Sequence, residues 1–202
     1  MIKALILDYG GVLSYPQPAQ AVDAMVAASG CPREAFVEAY WRHREALDRG
    51  LDPGEYWRTV LGEAGGRPQD AGRLLELDLA SWLHLRPEMW DLAATFRRRG
   101  ATAILSNNWP VFMTRLRAVR PLADWFDTVV ASYEVGMVKP SPEIFHLCLE
   151  RLGQPADAAL FVDDNRDNVE AARAVGMQGL WFRGQDDLAP LQDMLKFVER
   201  VD

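Results

Sequence analysis

The stretch Leu5–Leu13, LILDYGGVL, decides the fold. An apolar run ends at Asp8, two glycines follow at Gly10 and Gly11, and the chain turns apolar again. Hydrophobicity that is continuous rather than alternating suits a strand covered on both faces, as in a parallel sheet. A carboxylate at the end of such a strand stands where open parallel sheets bind their ligands, outside the carboxyl edge. Working outward, the same character recurs in four further runs. Strands are predicted at about 3–7, 102–106, 128–131, 159–163 and 179–182.

Helices with readable ends lie between the later runs. One starts at Pro87, carries Met89, Leu92, Ala93 and Phe96 at helical spacing, and closes with Arg97–Arg99 before Gly100. A second starts at Ser141-Pro142-Glu143, turns Ile144, Leu147, Cys148 and Leu152 inward, and stops at Gly153. A third runs from about Asp167 to Val175 and a last from about Asp187 to Glu199, the latter presenting Leu188, Leu191, Leu195 and Val198. Strands alternating with helices predict a doubly wound α/β, Rossmann-like parallel sheet with right-handed crossovers. The region from 17 to 84 breaks this rhythm. It has no convincing strand and reads as several helices interrupted at Gly30-Cys31-Pro32, Asp52-Pro53-Gly54 and Gly65-Gly66-Arg67-Pro68. The expected organisation is therefore a core of 1–16 plus 85–202 with a helical subdomain, 17–84, inserted after the first strand.

Composition narrows the function. Of 202 residues, 49% are hydrophobic and 25% charged, as in an ordinary compact domain. A net charge of −7 argues against nucleic acid and against anionic membrane surfaces as partners. No apolar run approaches the roughly 20 residues that span a bilayer. The start, MIKALIL, lacks the layout of a secretory signal. Cys31 and Cys148 are far apart and expected to be reduced and structural, in a cytoplasmic protein.

The strand ends carry the chemistry. Asp8 ends the first, Ser106-Asn107-Asn108 the second, and Asp163-Asp164 the fourth, while Lys139 precedes a helix in GMVKPSPEIF. Each alone reads as a turn, cap or solvated residue. Together, at successive strand ends, they describe a site. Clustered carboxylates repel unless a cation lies among them, and oxygen donors suit Mg²⁺. A phosphate brings charge that Lys139 and a hydroxyl can balance, and a carboxylate beside the metal can act as a nucleophile.

These four segments, in this order, resemble the haloacid dehalogenase-like (HAD) superfamily over the whole chain. LILDYGG resembles its first motif, ILSNN the second, VGMVKPSPEIF the third and LFVDDNRDNVEAA the fourth. The inserted helices match the family's helical caps in position and kind. The resemblance implies that Asp8 is the nucleophile and that Ser106, with Asn107 and Lys139, holds the phosphoryl group. It also implies a Mg²⁺ ion at Asp8, the Gly10 carbonyl, Asp163 and Asp164, and a small phosphorylated metabolite as substrate. Trp109, just after the Ser106 loop, is expected to line the cleft and to stack on the substrate.

At Gly10 the chain departs from the family pattern. Phosphatases of the family usually carry a second aspartate there, which protonates the leaving oxygen and then activates water. Loss of such a group costs typically about a hundred- to ten-thousand-fold. Two other readings follow. One is a weak or purely binding protein for phosphorylated ligands. The other is a dehalogenase, against which Asp163 and Asp164 argue, because dehalogenases of the family use no metal. In the insert, EAYWRHREALDRG reads as a charged outer face with Tyr40 and Leu47 packing inward. The competing reading sends an arginine or His43 into the cleft to recognise substrate or supply the proton.

Overall fold

The computed structural model describes residues 1–196; the end of the last predicted helix, with Val198, lies outside the described residues. Five strands, β1 (Ala4–Leu7), β2 (Ala101–Ser106), β3 (Thr128–Ala131), β4 (Ala159–Asp163) and β5 (Gln178–Trp181), form one sheet in the order β3-β2-β1-β4-β5. Every pairing is parallel. The central strands β1 and β4 are almost wholly apolar because both faces are covered. Leu5 and Leu7 of β1 enter one core while Ala4 and Ile6 enter the other, and Leu160 and Val162 alternate likewise with Ala159 and Phe161 on β4. Each large apolar side chain buried this way contributes about 1.5–3 kcal/mol. β5 is one edge of the sheet, and there Gln178 and Trp181 are exposed.

Helices α9 (Pro142–Leu152) and α10 (Arg166–Ala174) cover the face that receives Ile6. The opposite face packs against α6 (Pro87–Arg97), α7 (Pro110–Val119) and α11 (Leu188–Lys196). The inward side of α6 includes Trp90, whose indole donates to the Leu13 carbonyl at 2.9 Å, whereas the expected Leu92 is only partly buried. Between β3 and α9 a short helix, α8 (Ser132–Val135), intervenes.

Between β1 and α6 lie five α-helices: α1 (Ala19–Ser29), α2 (Arg33–Arg42), α3 (Arg44–Asp48), α4 (Pro53–Ala64) and α5 (Ala71–Ser81). They surround an aromatic cluster of Phe36, Tyr40, Tyr56 and Trp57, with neighbouring ring centroids 5.0–6.3 Å apart. The two connections to the core run side by side. Tyr15 N–H donates to the His84 carbonyl at 2.7 Å and Arg86 N–H to the Leu13 carbonyl at 2.9 Å. Cys31 is buried in the insertion and Cys148 in the core; both are free thiols. Among the described residues no helix is long and apolar enough to cross a membrane.

Candidate active site

β1 is flanked by β2 on one side and β4 on the other, so the chain's crossovers diverge at its carboxyl end. That is the topological switch point of an open α/β sheet. Asp8 stands there, its N–H donating to the Val162 carbonyl at 2.9 Å. Helices α7 and α10 begin a few residues beyond the ends of β2 and β4, so their N-termini lie at the same edge and favour an anion.

Lys139 is 4% exposed and lies between two carboxylates, its Nζ 2.7 Å from Asp8 Oδ1 and 2.6 Å from Asp163 Oδ2. Burial works against its charge, but Asp163 and Asp8 more than offset this and its pKa is raised. Its backbone is clamped by Asn107, which accepts from Lys139 N–H at 2.8 Å and donates to the Lys139 carbonyl at 3.0 Å. Ser106, also buried, accepts from Asn108 Nδ2 at 2.8 Å.

One oxygen from each of Asp8, Asp163 and Asp164 lies within 4.8 Å of the others. The three differ in what else they hold. Asp163 is fully buried and accepts from Asn165 N–H, from Asn168 Nδ2 and from Lys139. Burial pushes its carboxyl above the usual carboxylate range, with Lys139 pulling the other way and Asp8 adding to the rise. Asp164 forms no side-chain ion pair among the described residues, and burial together with Asp8 and Asp163 pushes it up to about 7. A carboxylate raised by its neighbours and left without a cation is a hard-oxygen donor set short of positive charge. It fits Mg²⁺. Asp8 and Asp164 have oxygens to offer directly, while Asp163 is turned toward Lys139 and Asn168.

The turn after Asp8 separates the two glycines. Gly10 has φ −64° and ψ 132°, which any residue adopts, and a Cβ there would meet Trp82 at 3.5 Å. Gly11 has φ 69°, and a Cβ there would lie 2.2 Å from Asp164 Oδ2. The position that requires glycine is therefore Gly11. Gly11→Ala should destabilise the protein by about 1–2 kcal/mol through its left-handed backbone and lower Mg²⁺ affinity at least about tenfold by displacing Asp164. Gly10→Ala should change either by little. Thermal unfolding and calorimetric Mg²⁺ titration of the two variants check this contrast.

The residues expected at the substrate are not all free to meet it. Asn107 lines the cavity, but its amide is engaged at both ends with the Lys139 backbone and so positions the lysine. Trp109 is 1% exposed and does not line the cavity; the Arg44 guanidinium covers its ring at 3.9 Å. The tryptophans that do reach the cavity, of about 520 Å³, are Trp41, Trp82 and Trp181. Arg44 is buried instead of lying on a charged outer face, and it lines the cavity, as the competing reading of the insertion has an arginine do. It donates to Tyr40 Oη at 2.8 Å and to Asp78 Oδ2 at 3.2 Å. Asp78 is fully buried and also accepts from Tyr40 Oη at 2.7 Å and Trp82 Nε1 at 3.1 Å. Arg42 and His43, by contrast, turn away and pair with Glu63.

A family model described as haloacid dehalogenase-like hydrolase matches residues 2–176. The phosphoserine phosphatase of Thermus thermophilus is 36% identical over 129 residues, 62% of this chain and 52% of that protein, so the match spans about half of that relative's length. The sesquiterpene phosphatase astK of Aspergillus oryzae is 30% identical over 198 residues, covering 97% of this chain and 96% of its own. Among solved structures, a magnesium complex of a HAD family enzyme from Bacteroides thetaiotaomicron superposes with a TM-score of 0.74 at 23% identity, over 92% of this chain and 96% of that one. At that identity the likeness is one of fold.

Proposed function

The chain belongs to the haloacid dehalogenase-like hydrolases, and from that premise we propose that it is a Mg²⁺-dependent phosphatase of small phosphorylated metabolites. The observation that carries this reading is the divided carboxylate cluster: a buried Lys139 shared by Asp8 and Asp163, beside an Asp164 with no ion pair among the described residues. Asp8, the Gly10 carbonyl and Asp164 would hold the ion, with Asp163 behind them. When bound it offsets the carboxylate charge and draws electron density from the phosphoryl oxygens. Asp8 attacks phosphorus in line; the new P–O bond forms as the ester P–O bond breaks. Lys139 and the Ser106 hydroxyl hold the phosphoryl oxygens. Water then attacks the aspartyl-phosphate, releasing phosphate and restoring Asp8. Phosphate release from a panel of phosphate monoesters, with and without Mg²⁺, tests the reading; no turnover of any ester with Mg²⁺ present overturns it.

The organic part of the substrate has a place to go. A groove of about 740 Å³, lined by Val22, Val37, Trp41 and Trp82, adjoins the carboxylate cluster at Asp164. Its walls are largely apolar, which supports an ester whose alcohol is apolar, in keeping with the sesquiterpene phosphatase among the relatives. Across a series of n-alkyl phosphates, kcat/KM should rise about fourfold per methylene buried, the equivalent of ~0.8 kcal/mol. Val37→Asp should flatten that rise while leaving methyl phosphate unaffected. A flat series in the wild type overturns the assignment of the groove.

A further inference from the structure

Asp48, the last residue of α3, is 8% exposed and lines the same cavity as Asp8 and Gly10. Its position is fixed from the core side. Ser132 Oγ donates to the Asp48 carbonyl and accepts from Asn108 N–H, and Asn108 in turn donates to Ser106 Oγ. The next residue, Arg49, donates to the Gly136 carbonyl at 3.1 Å. Asp48 is thus tied to the loop that holds Ser106. Its side chain is held more loosely: it pairs with Arg44, whose Nε lies 3.5 Å from Oδ1, and Oδ1 is buried with no hydrogen bond of good geometry among the described residues.

The other proton carriers of the cavity are occupied. Tyr9 Oη donates to the Trp82 carbonyl, and burial raises its pKa far above neutrality. Lys139 is held by two aspartates. Arg44 and Arg166 do not give up protons. Asp8 and Asp164 belong to the nucleophile and the metal. We propose that Asp48 is the general acid–base of this enzyme and supplies from the insertion the carboxyl group that Gly10 lacks. This rests on the phosphatase reading. As the ester P–O bond breaks, the Asp48 carboxyl proton passes to the leaving oxygen and an alcohol departs. The Asp48 carboxylate then takes a proton from the water whose oxygen attacks the phosphorus of the aspartyl-phosphate; the P–O bond to Asp8 breaks, phosphate leaves, and Asp48 is again a carboxylic acid.

The surroundings suit the role. Burial pushes the Asp48 carboxyl up to about 6; Arg44 opposes the rise, and the negative charges of Asp78 and Asp8 add to it. An acid in that range works in both directions near neutrality. No Cβ obstructs the space at Gly10, whose nearest neighbour there is Trp82 at 3.5 Å.

The test compares hexyl phosphate, whose alkoxide needs a proton to leave, with p-nitrophenyl phosphate, whose phenolate does not. Asp48→Asn should lower kcat/KM for hexyl phosphate by about 10²–10⁴-fold and for p-nitrophenyl phosphate by less than about threefold. Asp48→Ser should show the same selective loss, so that the result does not depend on the folding of one variant. Gly10→Asp added to Asp48→Asn should restore hexyl phosphate turnover at least tenfold. An equal loss on both esters identifies Asp48 as a structural partner of Arg44 and overturns the proposal, as does no loss on either. If the wild type hydrolyses neither ester with Mg²⁺ while folded, the phosphatase reading fails and this proposal with it. If the wild type is active and only the selectivity is absent, this proposal alone fails.

Discussion

Asp8→Asn should abolish phosphate release, lowering kcat by roughly 10⁴–10⁶-fold as removal of a covalent nucleophile does. The amide oxygen carries no charge with which to attack phosphorus. The fold should survive. Lys139 keeps its 2.6 Å partner Asp163, so no buried cation is stranded, and one negative charge leaves a crowded cluster. The melting temperature without metal should therefore be unchanged or higher. Phosphate release and thermal unfolding on one preparation decide this. The same variant addresses a purely binding protein: if phosphate affinity and all measured turnover survive the substitution, Asp8 is no nucleophile and the mechanism falls.

The second large effect concerns stability. Asp78→Ala should destabilise the protein by about 3–5 kcal/mol, because it leaves Arg44 buried with its main counter-charge removed. For a chain of this size that is a fall of roughly 6–20 °C in melting temperature. The loss is large because four groups converge on this carboxylate: Arg44, Tyr40, Trp82 and, at 3.5 Å, Gln17. Asp23→Ala makes the contrast. Asp23 also pairs with an arginine, Arg33, but both side chains are more than half exposed, and its removal should alter stability by less than about 1 kcal/mol. Thermal or urea unfolding of both variants checks the difference.

The strands were legible because continuous apolar runs leave few alternatives, and all five lie within about a residue of their expected limits. Ordered strand ends placed Asp8, Ser106, Lys139, Asp163 and Asp164 at one edge, since in a parallel sheet the carboxyl termini share a side. What escaped was the third dimension of the insertion. Arg44 and Asp48 stand four residues apart, like any solvated helix pair, and only packing against Tyr40, Asp78 and Trp109 takes them out of water. Trp109 departs from its expected place for a related reason. Proximity in sequence to Ser106 does not say which way a side chain turns, and Asn107 bonds the Lys139 backbone while Trp109 lies beneath Arg44. Asn168 carries a signal in the sequence: it follows Asp163 by five residues across the start of α10, close enough to fold back on it.

The adjacent connections at Leu13–Tyr15 and His84–Arg86 have a consequence for how such a protein can change over generations. A segment whose two ends already lie side by side can be exchanged for another without parting the sheet, since the closure that the core must maintain is the same for any occupant. Asp8 and Asp164 stay with the sheet, whereas the groove walls Val22, Val37 and Trp41 and the carboxyl of Asp48 travel with the helices. On the assignments proposed above, choice of alcohol and protonation of that alcohol would be inherited as one cassette. On the same assignments, a lineage that traded this segment for one without an equivalent of Asp48 would have to recover an acid at position 10 before it turned over alkyl esters at the former rate.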